Sequence, residues 1–252
     1  MSLRVTNLAG FGGRRDIVRS GLTAWLDARD FSSGQTWTDK TANANNFFLG
    51  TTSGADATDP THAAGPPAYF SSDGGDFFKL TTAHSGELLR KVGRQDTPFT
   101  VEAWVYRGAT ANTDEALFTN GSPGAGADAI SIMLDYSSNR PALNVEGGEQ
   151  GVGTAQLAVG AWKHFALAGR LDGTVTCTWY TNGAANGTFT YNMSGWTTGD
   201  SVGVPNIGTS NDGAANTFQS GTRISIFRAY DRVLAAAEIS QNFNVERGIF
   251  GV

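Results

Sequence analysis

Between turn-forming dipeptides, the apolar residues of this chain recur at every second position, and that spacing restricts it to extended strands with two unlike faces. In Phe99–Tyr106, the residues Phe99, Val101, Ala103 and Val105 share one face, and Thr100, Glu102, Trp104 and Tyr106 share the other. Ile130, Ile132 and Leu134 repeat the pattern, as do Val175, Cys177 and Trp179. Asp172-Gly173 lies between the segments 162–171 and 174–181 and predicts a two-residue primed hairpin turn. Asn182-Gly183 closes the next strand with the same tolerance of positive φ. Arg223–Tyr230 reads as a terminal strand. A helix is predicted over 235–247, where Ile239 and Phe243 share a face, Glu238 sits in the first turn and Gly248 provides a stop. Glycine supplies 33 of 252 residues, well above the usual share of about 7%. Segments 50–65, 107–128 and 209–221 read as loops. The expected fold is an all-β antiparallel sandwich with one short C-terminal helix.

The expected organisation is an N-terminal anchoring arm, residues 1–20, followed by one sandwich domain, residues 21–252. The arm carries Arg4, Arg14, Arg15 and Arg19 against a single acid, Asp16, and offers Leu3, Val5, Leu8 and Phe11 as apolar contacts to a larger assembly. No apolar run of roughly 7 to 15 residues occurs in it, so a cleaved secretory signal is not expected. No stretch approaches the about 18 apolar residues that span a bilayer. With 23 acidic and 18 basic side chains the net charge is −5, which argues against nucleic acid or anionic membranes as partners. A single cysteine, Cys177, excludes an intrachain disulfide and fits synthesis in a reducing compartment.

Three stretches together resemble the concanavalin A-like lectin/glucanase superfamily, in particular the laminin G-like domains of bacterial and phage surface proteins. In GLTAWLDARDFSSGQTWTDKTANANN the matching positions are Asp27, Trp37, Asp39, Asn43 and Asn45. The middle resembles the family in TPFTVEAWVYR and in GAWKHFALAGRLDGTVTCTWYTNG, and the end does so in ISIFRAYDRVLAAAEISQNFN. The resemblance implies a jelly roll of two antiparallel sheets with about 12 to 14 strands. Where the family usually places a serine N-cap, this chain has Ala235. Glu238 is then left without a capping-box partner, at a cost of roughly 1 kcal/mol.

This scaffold carries both enzymes and binding modules, so each chemistry is weighed on its residues. Retaining glycoside hydrolysis needs two carboxyls about 5 to 5.5 Å apart. Laminarinase-type relatives supply them from one Glu-x-Asp-x-x-Glu strand, and that string is absent here. Glu146 and Glu149 flank Gly147-Gly148 and read as a turn. A sheet face lined with Thr, Ser and Ala would speak against a hydrolase or lyase. His164 reads as a core or rim histidine bonded to backbone, and Cys177 as a small buried hydrophobe. The resemblance implies a calcium ion at Asp73-Gly74-Gly75-Asp76, with Asp73 and Asp76 as ligands. The family's Asp-Glu pair in the last strand is replaced by Ser225 and Ile226. Sugar binding needs an exposed ring beside polar groups. Trp196 and Tyr191, in a Thr-, Asn- and Gly-rich stretch, are the candidates, whereas Trp25, Trp37, Trp104, Trp162 and Trp179 read as core.

The functional expectation is a non-enzymatic surface protein of a phage or phage-like particle, made in the host cytoplasm. Residues 1–20 would attach it to other virion proteins, its outward loops would touch host polysaccharide, and homo-oligomers would strengthen weak contacts. The competing class is a polysaccharide hydrolase or lyase.

Overall fold

The computed structural model describes residues 16–81, 89, 91–93, 97–108, 113–121, 129–135, 138–145, 148–174, 176–192, 204–210 and 215–252. Two eight-stranded antiparallel sheets face each other. The first runs β14 (Ala184–Phe189), β13 (Cys177–Thr181), β12 (Trp162–Gly169), β7 (Phe99–Tyr106), β16 (Arg223–Tyr230), β5 (Tyr69–Ser71), β4 (Thr61–Ala63). β1 (Leu22–Asp27) completes it, pairing with β16 beyond the end of β5. The second runs β11 (Gly148–Val152), β10 (Pro141–Val145), β9 (Ile130–Leu134), β8 (Glu115–Thr119), β15 (Asn206–Ile207), β6 (Phe78–Leu80), β3 (Phe47–Leu49), β2 (Thr36–Trp37). The all-β sandwich is as the alternation requires. β4 and β8 fall in segments 50–65 and 107–128, which read as loops in the sequence.

The core lies between the sheets and collects the predicted inner faces: Phe99, Val101, Ala103 and Val105, then Ile130, Ile132 and Leu134, then Cys177 and Trp179. In β16 the spacing breaks. Ile224 and Phe227 both face the core because a bulge shifts the register between Ile224 and Ile226. Trp25, Trp37, Trp104 and Trp179 are buried, as expected, but Trp162 is half-buried. Asn182 and Gly183 adopt φ of 51° and 73° and join β13 to β14 in the predicted two-residue turn. Asp172-Gly173 does not. The connection from β12 to β13 spans 170–176, because Arg170 pairs with Asp172 at 2.5 Å and Asp172 bridges to Asn192.

Helix α1 (Ala236–Phe250) runs past the predicted stop at Gly248. Gly248 stays helical, and Gly251, at φ 71°, ends the helix instead. The absent N-cap side chain is offset locally. Glu238 accepts the Ala235 backbone N–H at 2.9 Å and a bidentate pair from Arg232 at 2.7 and 2.8 Å. Within the expected arm, the described residues 16–20 pack against the sandwich. Ile17 and Val18 are buried, Val18 N–H donates to Asn242, and the Tyr230 hydroxyl donates to the Val18 carbonyl. Apolar side chains at 17 and 18 gain more from this seat than from solvent. The rest of the expected arm, 1–15, lies outside the described residues.

Candidate functional site

The outer face of the first sheet is polar by alternation and yet buried, because α1 lies over it. Glu102 on β7 pairs across the sheet with Arg228 on β16. Arg228 approaches Glu102 Oε2 at 3.3 Å, bonds Glu246 of α1, and lies 5.8 Å from the centroid of the Trp25 ring. Trp104 Nε1 donates to the other Glu246 oxygen at 2.8 Å, and Asn242 Nδ2 donates to Glu102 at 2.8 Å. His164 is fully buried, and its Nε2 lies 3.6 Å from Glu102 Oε1; the ring faces this carboxylate and has no bond to backbone. Burial pushes the Glu102 carboxyl up, but His164, Arg228 and Asn242 outweigh it and hold it below its ordinary range. Burial alone would lower Arg228, but Glu246 and Glu102 raise it well above the ordinary arginine value. These groups are buried beneath α1, and the network docks the helix onto the sheet.

Of the other glutamates, Glu115 is similarly committed and Glu149 is not. Glu115 binds Arg107 at 2.9 Å and the Thr222 hydroxyl at 2.6 Å, and Glu149 is exposed on β11 at a sheet edge. Glu146 lies outside the described residues. The second sheet's outer face carries Ala116, Met133, Ala142, Thr119 and Ser131, all buried, with half-buried Asn144 paired to exposed Glu149 at the β11 edge. Cys177 is buried, with its thiol pushed up to about 11 by burial.

The aspartate turn differs from expectation. Asp76 is buried and accepts the Asp73 backbone N–H at 2.9 Å, whereas the Asp73 residue itself is exposed. The remaining oxygen, Asp76 Oδ1, has no hydrogen-bond partner, and neither has Asp59 Oδ1. Phe77 N–H donates to the Thr58 carbonyl at 3.3 Å, which brings the two aspartates to one corner. Among the described residues no three His, Cys, Asp or Glu side chains form a metal-holding group. A calcium ion at this corner would be held by the unpaired oxygens of Asp59 and Asp76 and completed by carbonyls.

Burial, then Asp73 and Asp59, push the Asp76 carboxyl up to about 6 from 3.8. The folded state therefore binds the proton more tightly than the unfolded chain, and stability falls as pH rises from about 4 to about 6. In chelator, Asp76→Asn is expected to remove this decline and raise the melting temperature at pH 7.5 relative to pH 4.5. Thermal melts at the two pH values check it; an unchanged profile would contradict the assignment.

Tyr191 packs against the core, and Trp196 lies outside the described residues. A platform appears elsewhere, where β5, β7, β12 and β16 meet the end of α1. Tyr106 pairs with Trp162 across β7 and β12, and with Arg223 across β7 and β16. The Trp162 centroid is 5.8 Å from Tyr106, 6.0 Å from Tyr69 and 5.1 Å from Phe250. Arg223 lies against both tyrosines, 4.8 Å from Tyr69 and 4.5 Å from Tyr106. Tyr69, Tyr106, Trp162 and Arg223 are all half-buried, so part of each residue remains accessible to solvent. The alternation in β7 contains the signal that Tyr106 faces outward, but nothing local shows that α1 leaves this end of the face uncovered.

A family model described as the concanavalin A-like lectin/glucanases superfamily matches residues 72–240. No curated protein sequence matches the chain. Among solved structures, domain 4 of AbnA, a GH43 extracellular arabinanase from Geobacillus stearothermophilus solved with arabinotriose, is similar at 16% identity and a TM-score of 0.63. That match covers 89% of this chain and 99% of the other. A Trypanosoma rangeli sialidase is similar at 14% identity and a TM-score of 0.62, covering 92% of this chain and 34% of the sialidase, so the chain spans about a third of that enzyme. The receptor-binding domain of botulinum neurotoxin type G is similar at 10% identity and a TM-score of 0.59, covering 90% of this chain and 52% of the other. At these identities the likeness is one of fold. The sandwich, its helix and the match over residues 72–240 agree, and the chain belongs to the concanavalin A-like lectin/glucanases superfamily.

Proposed function

We propose that this chain is a non-enzymatic glycan-binding module displayed on the surface of a phage or phage-like particle. The observation that carries the binding role is the half-buried Tyr69, Tyr106 and Trp162 cluster, in which Trp162 lies 6.0 Å from Tyr69 and 5.8 Å from Tyr106 and Arg223 lies against both tyrosines. Pyranose faces stack on such rings, and a rigid strand scaffold holds them without ordering cost. The arabinotriose complex of the AbnA domain supports saccharide binding on this fold. The non-enzymatic reading is supported by the carboxylates. Glu102 and Glu246 are sealed beneath α1 and Glu115 is paired to Arg107, so three of the described glutamates are taken up by the fold. Display is supported by polarity along β16. Segment 16–20 joins the fold at the Tyr230 end and the platform sits at the Arg223 end, roughly 23 Å away at 3.3 Å per residue. Residues 1–15 would attach to other particle proteins on one side while the platform faces outward, and several copies would raise avidity.

A glycan array tests the binding role. The wild type is expected to retain at least one polysaccharide, and Trp162→Ala to weaken it roughly tenfold or more while the fold persists. Shortened products released from the retained glycan would favour the hydrolase or lyase reading instead. Mass spectrometry of purified particles tests display, and a protein found only free in the culture would overturn it.

A further inference from the structure

Resting on that reading, we propose that the platform selects acidic saccharides, with the sugar carboxylate bound by the Arg223 guanidinium while the adjoining ring stacks on Trp162. Arg223 is half-buried at the first position of β16 and is held between two aromatic rings, 4.8 Å from Tyr69 and 4.5 Å from Tyr106. Its Nε is buried without a hydrogen-bond partner. Among the described residues no carboxylate pairs with it, whereas Arg19, Arg29, Arg107, Arg170, Arg228 and Arg232 each face one. A guanidinium that has lost part of its hydration and gained no anion retains unused donor capacity. Two flanking rings fix its plane, so little side-chain freedom is lost when a planar carboxylate docks in a forked pair. Trp162 stands 5.8 Å from the same Tyr106 that Arg223 lies against, so ring and cation belong to one cluster. A neutral sugar would use the rings and leave the cation unanswered.

The experiment compares the full chain's affinity for oligogalacturonate, oligoglucuronate and polysialic acid with that for the carboxyl-reduced form of each, by calorimetry at fixed salt. The wild type is expected to favour at least one acid form by about tenfold or more. Arg223→Gln should abolish that preference while keeping the neutral counterpart's affinity, and Arg223→Lys should restore part of it. An unchanged melting temperature for both variants separates a lost contact from a lost fold. Equal affinity for acid and reduced forms, with both lost in Trp162→Ala, would overturn the acidic selection and leave the glycan-binding reading intact. An acid preference that survives Arg223→Gln would equally overturn it. No binding by any probe, acid or reduced, would overturn both.

Discussion

Arg228→Ala is expected to destabilise the fold by about 3 to 5 kcal/mol, since it strands two buried carboxylates that lose their shared cation. Glu102 and Glu246 are each no more than 2% exposed, and Arg228 is the group that lies between them. Arg29, at 3.8 Å, gives Glu246 a partial alternative, but Glu102 is left with His164 and Asn242. Urea unfolding followed by tryptophan fluorescence reads the loss directly. Because the cost is an unpaired charge, replacing the whole unit by Glu102→Leu, Arg228→Met and Glu246→Leu should recover most of it. A single-variant loss below about 1 kcal/mol would show that solvent reaches these groups and that α1 is not sealed over them.

Trp104→Ala should cost a similar amount, about 3 to 5 kcal/mol, by a different route. The indole stacks on Phe250 with centroids 3.9 Å apart and planes 9° apart, lies 5.8 Å from Phe243, and donates to Glu246. Truncation opens a cavity under the last turns of α1 and also leaves a buried acceptor unmet. Trp104→Phe keeps a ring against Phe250 and loses the donor and only part of the buried volume, so it should cost less, about 1 to 3 kcal/mol. The two sites share Glu246, and combining Trp104→Ala with Arg228→Ala should therefore give less than the sum. Additive losses in the same unfolding assay would argue that the helix is held by independent contacts.

The alternation in Phe99–Tyr106 assigned every side chain to its correct face, because the pleat is a local property of the backbone. It said nothing of what lies over each face. Glu102 and Trp104 share the outer one with Tyr106; α1 arrives from more than a hundred residues away, covers the first two and leaves the third half-buried. Nothing local marks Asn242 and Glu246 as buried, because their partners Glu102 and Trp104 are distant in sequence. Asn182-Gly183 was readable because two positive φ values suffice to close its turn, whereas Asp172-Gly173 is drawn away by Arg170 and Asn192. The binding platform was the least readable part. Tyr69, Tyr106, Trp162 and Arg223 come from four strands, and only the pairing order of the sheet brings them together. Asp76 was visible as a turn residue, but its companion at that corner, Asp59, comes from a different loop, placed by the bond from Phe77 to Thr58.

The most direct measurement is backbone and side-chain chemical-shift mapping of the labelled chain with a retained oligosaccharide, the sugar spectrum being followed in the same tube. The account predicts shifts centred on Tyr69, Tyr106, Trp162 and Arg223, with Glu102 and His164 unmoved and the oligosaccharide intact after prolonged incubation. Shifts centred on the outer face of the second sheet around Ser131 and Asn144, or steady shortening of the sugar, would contradict it.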